Sequence, residues 1–139
     1  MKNLLDTYIT QIIQNTQETV CGHPAPEKTS ESELKQGYRI LTDDDLDEMI
    51  AVPGMDILIN AHIPEFGPNA FPHKHTFYEL IYIHRGTFHM VIDRRTRTFH
   101  AGDFILLNPS VIHCVSLGSP DSQVINILMK RTLFNRSFM

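Results

Sequence analysis

Short β-rich runs follow one another from residue 55 to residue 129, separated by turn signals at intervals of roughly 8 to 12 residues. Almost no helical periodicity interrupts them. The predicted strands cover residues 55–62, 78–84, 87–92, 96–100, 104–108, 111–115 and 124–129. The polar tripeptide Asp93-Arg94-Arg95 between two of these runs is typical of a tight hairpin. This succession of short strands predicts a mainly β fold, either a sandwich or a barrel.

Residues 1–53 are predicted to form an arm before the β region, made of a helix, a polar linker and a second, short helix. Apolar residues recur there at the spacing of an amphipathic helix from residue 2 to about residue 19, namely Leu4, Leu5, Tyr8, Ile9, Ile12 and Ile13. This stripe would pack on the body of the domain or on a second copy of the chain. Residues 21–37 are rich in Pro, Glu, Ser and Lys and predict a mobile linker. Thr42 and the three aspartates after it predict a capped helix that ends near Val52.

The predicted barrel covers residues 54–130. The pattern of residues 131–139 after it predicts the start of a C-terminal helix. Four apolar residues lie there at helical spacing, namely Leu133, Phe134, Phe138 and Met139. No polar tail or C-cap follows them. We expect either that this helix continues in a longer chain or that its last turn packs on the barrel.

Composition and charge exclude several classes of protein. The 139 residues are 42% hydrophobic, which suffices for one compact domain. A net charge of -4 and a pI near 6.0 provide no general attraction for nucleic-acid phosphates. No stretch is apolar enough for a signal peptide or a membrane span. Cys21 and Cys114 lack the spacing of a metal or redox motif, so we expect free thiols in a reducing compartment such as the cytoplasm.

Polar side chains with metal-ligand chemistry cluster in the middle of the chain. His73, His75 and Glu79 lie at multiples of two residues, and His113 follows beyond a second Gly-Asp turn. Side chains two residues apart in a β-strand point to the same face. We therefore expect His73, His75 and Glu79 to project from one strand to one side of a sheet, as a metal site or a polar-ligand site.

The residues around this cluster resemble the two sequence motifs of the cupin superfamily. The first motif is matched in every spacing by Gly67, His73-Lys74-His75, Glu79 and Gly86. The second is partly matched by Gly102-Asp103, Pro109 and His113. Its Gly-to-Pro gap is one residue longer than the common form, with Ser110 where glycine is usual and Leu117 where asparagine is usual.

This resemblance implies a double-stranded β-helix, or jelly-roll barrel, with four metal ligands pointing into its mouth, namely His73, His75, Glu79 and His113. Three imidazoles and one carboxylate suit a divalent ion such as Fe, Mn, Ni or Zn and leave coordination positions open. The alternative is a barrel that has lost its metal, in which these groups bond to each other and to water. The other histidines, His23, His62, His84, His89 and His100, are expected at the surface or the edge of the core, and His89 lies on a strand next to the site.

Residues 73–116 are most similar to the N-terminal ligand-sensing domain of AraC-type transcription regulators. Phe77-Tyr78-Glu79-Leu80 and the run from Gly102 to Pro109 carry this likeness. It implies a small-molecule effector, a homodimer, and DNA contact only through a C-terminal helix-turn-helix region that this chain lacks. Residues an even number of positions from Glu79 or His113 share the same strand face and are predicted to form the walls of the effector pocket, namely Phe77, Ile81, Ile83, Val111 and Val115. Packing in the barrel core is the more ordinary role of such residues.

A stand-alone metal-dependent cupin enzyme, of the dioxygenase or isomerase type, is the competing hypothesis. The same metal would activate an oxygen-rich substrate. No separate catalytic acid, base or nucleophile can be assigned in the sequence. Tyr78 and Tyr82 are possible proton donors, but they lie an odd number of residues from Glu79 and are expected on the opposite face of the strand. The sensing function is therefore favoured over catalysis.

Overall fold

Two facing β-sheets form the body of the structure, a computed structural model that describes residues 3–21, 30–50, 52–63 and 71–133. The helices are α1 Leu4–Cys21, α2 Glu31–Gln36 and α3 Asp43–Met49. The strands are β1 Arg39–Leu41, β2 Ile57–Ala61, β3 His73–His75, β4 Tyr78–Arg85, β5 Thr87–Ile92, β6 Arg95–His100, β7 Phe104–Leu107, β8 His113–Leu117 and β9 Gln123–Met129. One sheet has the order β1-β3-β8-β5-β6 and the other the order β2-β9-β4-β7. The predicted mainly β jelly roll with an N-terminal helix is confirmed.

The main core lies between the two sheets. Inward-facing residues of β4, β5, β7, β8 and β9 form one cluster there, namely Ile81, Ile83, Phe88, Met90, Leu107, Val115 and Val124. Alternate residues of β4 are buried, as expected for strands that direct every second side chain to the core. The predicted hairpin tip is confirmed, since Asp93 and Arg94 both have positive φ, 51° and 63°, which matches the twist of the flanking strands.

Helix α1 packs on the outer face of the four-stranded sheet of its own chain. Ile9 is buried against Ala61 and Ile125. The hydroxyl oxygen of Thr16 accepts a hydrogen bond of 3.0 Å from the backbone N–H of Ala61, and Asp6 Oδ1 lies 2.7 Å from His84 Nε2. Ile9, Ile12 and Ile13 of the predicted apolar stripe therefore have their partner within the chain, whereas Leu4, Leu5 and Tyr8 stay exposed. None of the described helices is both long and apolar enough to cross a bilayer.

The segment between α1 and the barrel contains more regular structure than the sequence indicates. Within the segment predicted as a mobile linker, Glu31–Gln36 form the helix α2, which was not predicted, between a capping box at Ser30 and Gly37 at φ 85°. Strand β1 then joins the five-stranded sheet parallel to β3. The predicted cap of the next helix is confirmed, because Thr42 forms a capping box with Asp45, although α3 ends at Met49. Residues 22–29 lie outside the described part of the chain.

The C-terminal part of the chain is described only as far as Leu133. Residues 131–133 are helical and directly follow β9. The greater part of the predicted C-terminal helix, residues 134–139, lies outside the described residues. The expected length of that helix therefore stays a prediction.

Ser110 occupies a backbone conformation that favours glycine, at the position where the cupin motif usually has glycine. Its φ is 74°, and its backbone N–H donates a hydrogen bond of 3.0 Å to the carbonyl oxygen of His75. A side chain in the left-handed region costs roughly 1 to 2 kcal/mol, part of which is offset by the lower chain entropy of serine in the unfolded state.

We therefore expect Ser110→Gly to raise the free energy of unfolding by about 0.5 to 1 kcal/mol, measured by urea denaturation. The control is Ser116→Gly on the exposed side of β8, which should lower stability because glycine weakens a strand interior. A loss of stability in Ser110→Gly would contradict the assigned backbone strain.

Candidate metal centre

Four side chains with metal-ligand chemistry meet between the two sheets. His73 and His75 lie on β3, and His113 begins β8 directly opposite His73 in the five-stranded sheet. Glu79 lies on β4, in the four-stranded sheet. The prediction that His73, His75 and Glu79 project from one strand is therefore wrong. They converge because the two sheets face each other.

A bend at Thr76 and Phe77 carries the chain from one sheet into the other. The hydroxyl of Thr76 donates a hydrogen bond of 2.7 Å to Asp43 Oδ1 at the start of α3. Phe77 is 2% exposed and packs between Leu46 of α3 and Leu128 of β9. These contacts fix the bend, so that Glu79 faces the histidines across the space between the sheets.

All three imidazoles are oriented in the same way by the backbone. Each Nδ1 lies near the carbonyl oxygen of a residue two positions away, which accepts a hydrogen bond from the Nδ1–H. The acceptors are Phe71 for His73 at 3.2 Å, Phe77 for His75 at 2.9 Å and Val111 for His113 at 2.8 Å. This assignment of the proton to Nδ1 leaves the Nε2 lone pair to bind a metal, as ligating histidines in proteins commonly do.

The distances between these groups suit a shared cation. One ring nitrogen from each histidine lies within 4.8 Å of the other two. Glu79 Oε2 lies 2.8 Å from His75 Nε2 and 3.7 Å from His113 Nε2. His75 thus stands between two acceptors, the Phe77 carbonyl and the Glu79 carboxylate. A second proton on the ring or a metal ion must separate the nitrogen from the carboxylate, and the donor set of three imidazoles and one carboxylate fits a metal ion.

Burial sets the protonation of two of these groups. Burial lowers the pKa of His73 to about 4, and electrostatic repulsion from His113 acts in the same direction. Burial alone would raise the pKa of Glu79, but its interactions with His113 and His75 outweigh burial and hold that pKa well below its usual range. At neutral pH His73 is therefore neutral and Glu79 is ionised, which are the forms that bind a metal.

The four groups line one side of a cavity of about 250 Å³. Its walls come from both sheets and from two helices, with Thr16 of α1 and Asp45 of α3 among them. Asn60 and Asn126, paired across β2 and β9, form a polar wall in which Asn126 Nδ2 donates to Asn60 Oδ1 at 3.2 Å. No lysine or arginine of the described chain lines this cavity. Its formal charges come from the carboxylates of Glu79 and Asp45.

The apolar residues predicted as pocket walls occupy two different places. Phe77 and Val115 line the cavity. Ile81 and Ile83 are fully buried in the main core, and Val111 packs against that core. Strand parity identifies the inner face of a strand, but only the residues near the open end of the barrel reach the cavity.

Several cavity residues were not predicted from the sequence. Asn60 and Asn126 are polar residues at inward positions of two predicted strands, so their parity could have indicated them. His62 was expected at the surface or the core edge, but it lines the cavity, and burial lowers its pKa. His89 lies instead on the outer side of β5, where it contacts Thr98 at 3.0 Å, so the strand next to the site does not bring it to the site.

Comparison with known sequences identifies a family. Residues 57–136, more than half of the chain, match the sequence model of the family described as the AraC-like ligand binding domain. No curated protein matched the chain.

Comparison with solved structures gives partial likenesses to barrel proteins. The chain is 22% identical to a cupin 2 conserved barrel domain protein from Salinispora arenicola, over 63% of this chain and 76% of that chain, with a TM-score of 0.46. It is 25% identical to a cupin protein from Bacteroides fragilis, over 62% and 74% of the two chains, with a TM-score of 0.44. For the Clostridium difficile EutQ protein the identity is 23% and the TM-score 0.38, over 43% of this chain and only 47% of that chain.

Proposed function

The chain belongs to the AraC-like ligand-binding domain family, and from this membership we propose that it is the small-molecule-sensing and dimerisation domain of a cytoplasmic transcription regulator. A divalent metal in the barrel is part of the proposal, with His73, His75, Glu79 and His113 as its ligands. DNA would be contacted only by a helix-turn-helix region outside this sequence. The free thiol of Cys114 is consistent with a reducing compartment.

One observation carries the metal part of the proposal. The backbone orients all three imidazoles through Nδ1, so their Nε2 atoms are left for a cation beside the Glu79 carboxylate. When bound, a divalent ion would supply Lewis acidity and an open position for a ligand's oxygen atoms. Of the four proposed ligands, the His73 imidazole is already neutral and the Glu79 carboxylate is already ionised at neutral pH.

The cavity has room for a small effector. An engineered cavity of about 150 Å³ holds benzene, so roughly ten non-hydrogen atoms fit here. Because Glu79 and Asp45 are the carboxylates at its wall and no lysine or arginine of the described chain lines it, an anionic group would be tolerated only on the metal. The paired amides of Asn60 and Asn126 offer hydrogen bonds to an uncharged effector.

The helices at the cavity wall supply a route from binding to signalling. Thr16 belongs to α1, which packs on the outside of the barrel, and Asp45 belongs to α3. A ligand that touches these residues would bind differently to alternative positions of the two helices and shift their populations. The same helices are available to change how two copies of the chain associate.

Metal binding is the direct test of the site. We expect the purified protein to bind one Co²⁺ or Zn²⁺ per chain, and His75→Ala to lower that affinity at least about 100-fold, because removal of an outer-shell partner alone costs 10- to 100-fold. Titration calorimetry and elemental analysis measure both quantities. The matched control, His89→Ala on the outer side of β5, should bind normally. Equal affinity in His75→Ala and the unaltered protein would refute the site.

The regulator and the enzyme hypotheses differ in two further observations. The coding sequence downstream of residue 139 is expected to encode two helix-turn-helix motifs, and a stop codon directly after residue 139 would contradict the regulator. A compound that binds the metal-loaded protein should be recovered unchanged. Its metal-dependent conversion would instead favour the enzyme of dioxygenase or isomerase type.

A further inference from the structure

The two sheets differ sharply in the chemistry of their outer faces. In the four-stranded sheet, Ile59, Ile127, Leu80 and Leu106 are paired side by side across all four strands and point outward. In the five-stranded sheet, the corresponding outward row is polar, namely Thr98, His89 and Ser116. An antiparallel sheet that faces water normally alternates apolar and polar residues. The outward row of the four-stranded sheet instead is apolar, which is typical of a sheet face that another element covers.

Helix α1 covers only part of this outer face. It buries Ala61 and Ile125, whereas Ile59 remains 50% exposed, Leu106 58% and Phe104 64%. These three residues, together with Leu80 and Ile127, are called the apolar face below. No other described element covers them. Within the described part of the chain, the apolar face therefore has no cover other than the partial one from α1.

The first turns of α1 extend the apolar face. Asp6 bonds to His84 on β4, and Tyr82, two residues before His84, stacks on Phe104 with ring centroids 4.7 Å apart. The N-terminal end of α1 thus begins beside the apolar face. Three large apolar side chains are exposed on these turns, namely Leu4, Leu5 and Tyr8.

The exposed apolar area is comparable to the apolar part of one side of a standard dimer interface. A large apolar side chain carries roughly 60 to 120 Å² of apolar surface, so the apolar face and the first turns of α1 together leave on the order of 400 Å² uncovered. A standard interface buries about 800 Å² per partner, a little over half of it apolar. The largest apolar patch on a monomer is commonly of this size and is often functional.

We propose that the apolar face, with the first turns of α1, is the surface through which two copies of this chain associate. The outward row contains no charged residue, so nothing on it selects a partner of opposite charge. A flat apolar sheet face can pack against an identical face about a two-fold axis, as the sheets of a β-sandwich do. The inference deepens the proposed function, since it rests on the dimerisation role and gives that role a location away from the metal ligands.

Sedimentation velocity over a concentration series tests the proposal on the 139-residue chain. We expect a dimer at micromolar concentration. Leu106→Glu and Ile59→Glu should each raise the dissociation constant at least about 100-fold, because association would bury an unpaired carboxylate. The matched control is Thr98→Glu, an exposed strand position in the polar row of the other sheet, which should leave the dimer intact.

Two results would overturn the inference. The first is a monomer at 100 µM. If Leu106→Glu also lowered the thermal stability of that monomer, the apolar face would be covered by a segment of the same chain and not by a second copy. The second is a dimer that persists in both variants. Co²⁺ affinity is measured on the same samples, and we expect Leu106→Glu to bind the ion normally. Failure of this interface is therefore distinguishable from failure of the metal site.

Discussion

Phe77→Ala is expected to lower the free energy of unfolding by about 4 kcal/mol, the typical cost of emptying a buried phenylalanine site. Phe77 is 2% exposed and fills the space between Leu46 of α3 and Leu128 of β9. Since domains of this kind are stable by only about 5 to 15 kcal/mol, the midpoint of thermal unfolding should fall by roughly 10 to 15 °C. Urea denaturation and a thermal melt, both followed by circular dichroism, measure the change.

The same substitution should also disturb the metal centre. The ring of Phe77 stacks on the ring of His75, with centroids 4.6 Å apart and planes 7° apart, and its carbonyl oxygen accepts the hydrogen bond from His75 Nδ1. Phe88→Ala is the matched control, because Phe88 is equally buried in the main core and its recorded ring contact is with His62 rather than with a ligand. Both variants should lose stability, but only Phe77→Ala should also weaken Co²⁺ binding. Unchanged affinity in folded Phe77→Ala would show that Phe77 does not position His75.

Acidification is expected to remove about 3 kcal/mol of stability between pH 6.5 and pH 4, through His73. Burial lowers the pKa of His73 from 6.5 to about 4 in the folded protein. In that interval the unfolded chain therefore binds a proton that the folded protein excludes. The contribution is fully present above pH 6.5 and is lost as the pH falls towards 4. The lowered pKa of Glu79 adds a loss of the same sign below its usual value of 4.5.

Urea denaturation of the metal-free protein at pH 7.5, 6, 5 and 4 measures this effect. His73→Gln should flatten the profile, because glutamine does not titrate in this range. His100→Gln, at an exposed position on β6, should leave the profile unchanged. A profile in His73→Gln as steep as that of the unaltered protein would locate the acid sensitivity elsewhere in the chain.

Much of the barrel could be predicted from the sequence because its strands are short and alternate in polarity. The hairpin at Asp93 and Arg94 and the capped helix after Thr42 were predicted from residue types whose local preferences coincide with the tertiary structure. Two elements were missed for the opposite reason. Strand β1 is three residues long and is held by its pairing with β3. Helix α2 lies in a polar segment and buries no residue.

The candidate site shows where sequence reasoning reached its limit. The spacing grouped four residues whose ring nitrogens and carboxylate lie close together in the structure. The reason given for that convergence was wrong, because a bend at Thr76 separates His75 from Glu79 and places them in different sheets. Periodicity describes the face of a strand over a regular run. It contains no information on a bend that depends on a hydrogen bond to Asp43, distant in the sequence.

By itself, the sequence determined the barrel and the identity of the ligand-type side chains. These are local properties, set by alternation along each strand and by turn residues. Only the tertiary structure decided that Glu79 meets the histidines from the opposite sheet, that Thr16 and Asp45 line the same cavity, and which apolar row remains exposed. Those outcomes depend on which surfaces pack together, and packing brings together residues from distant parts of the chain.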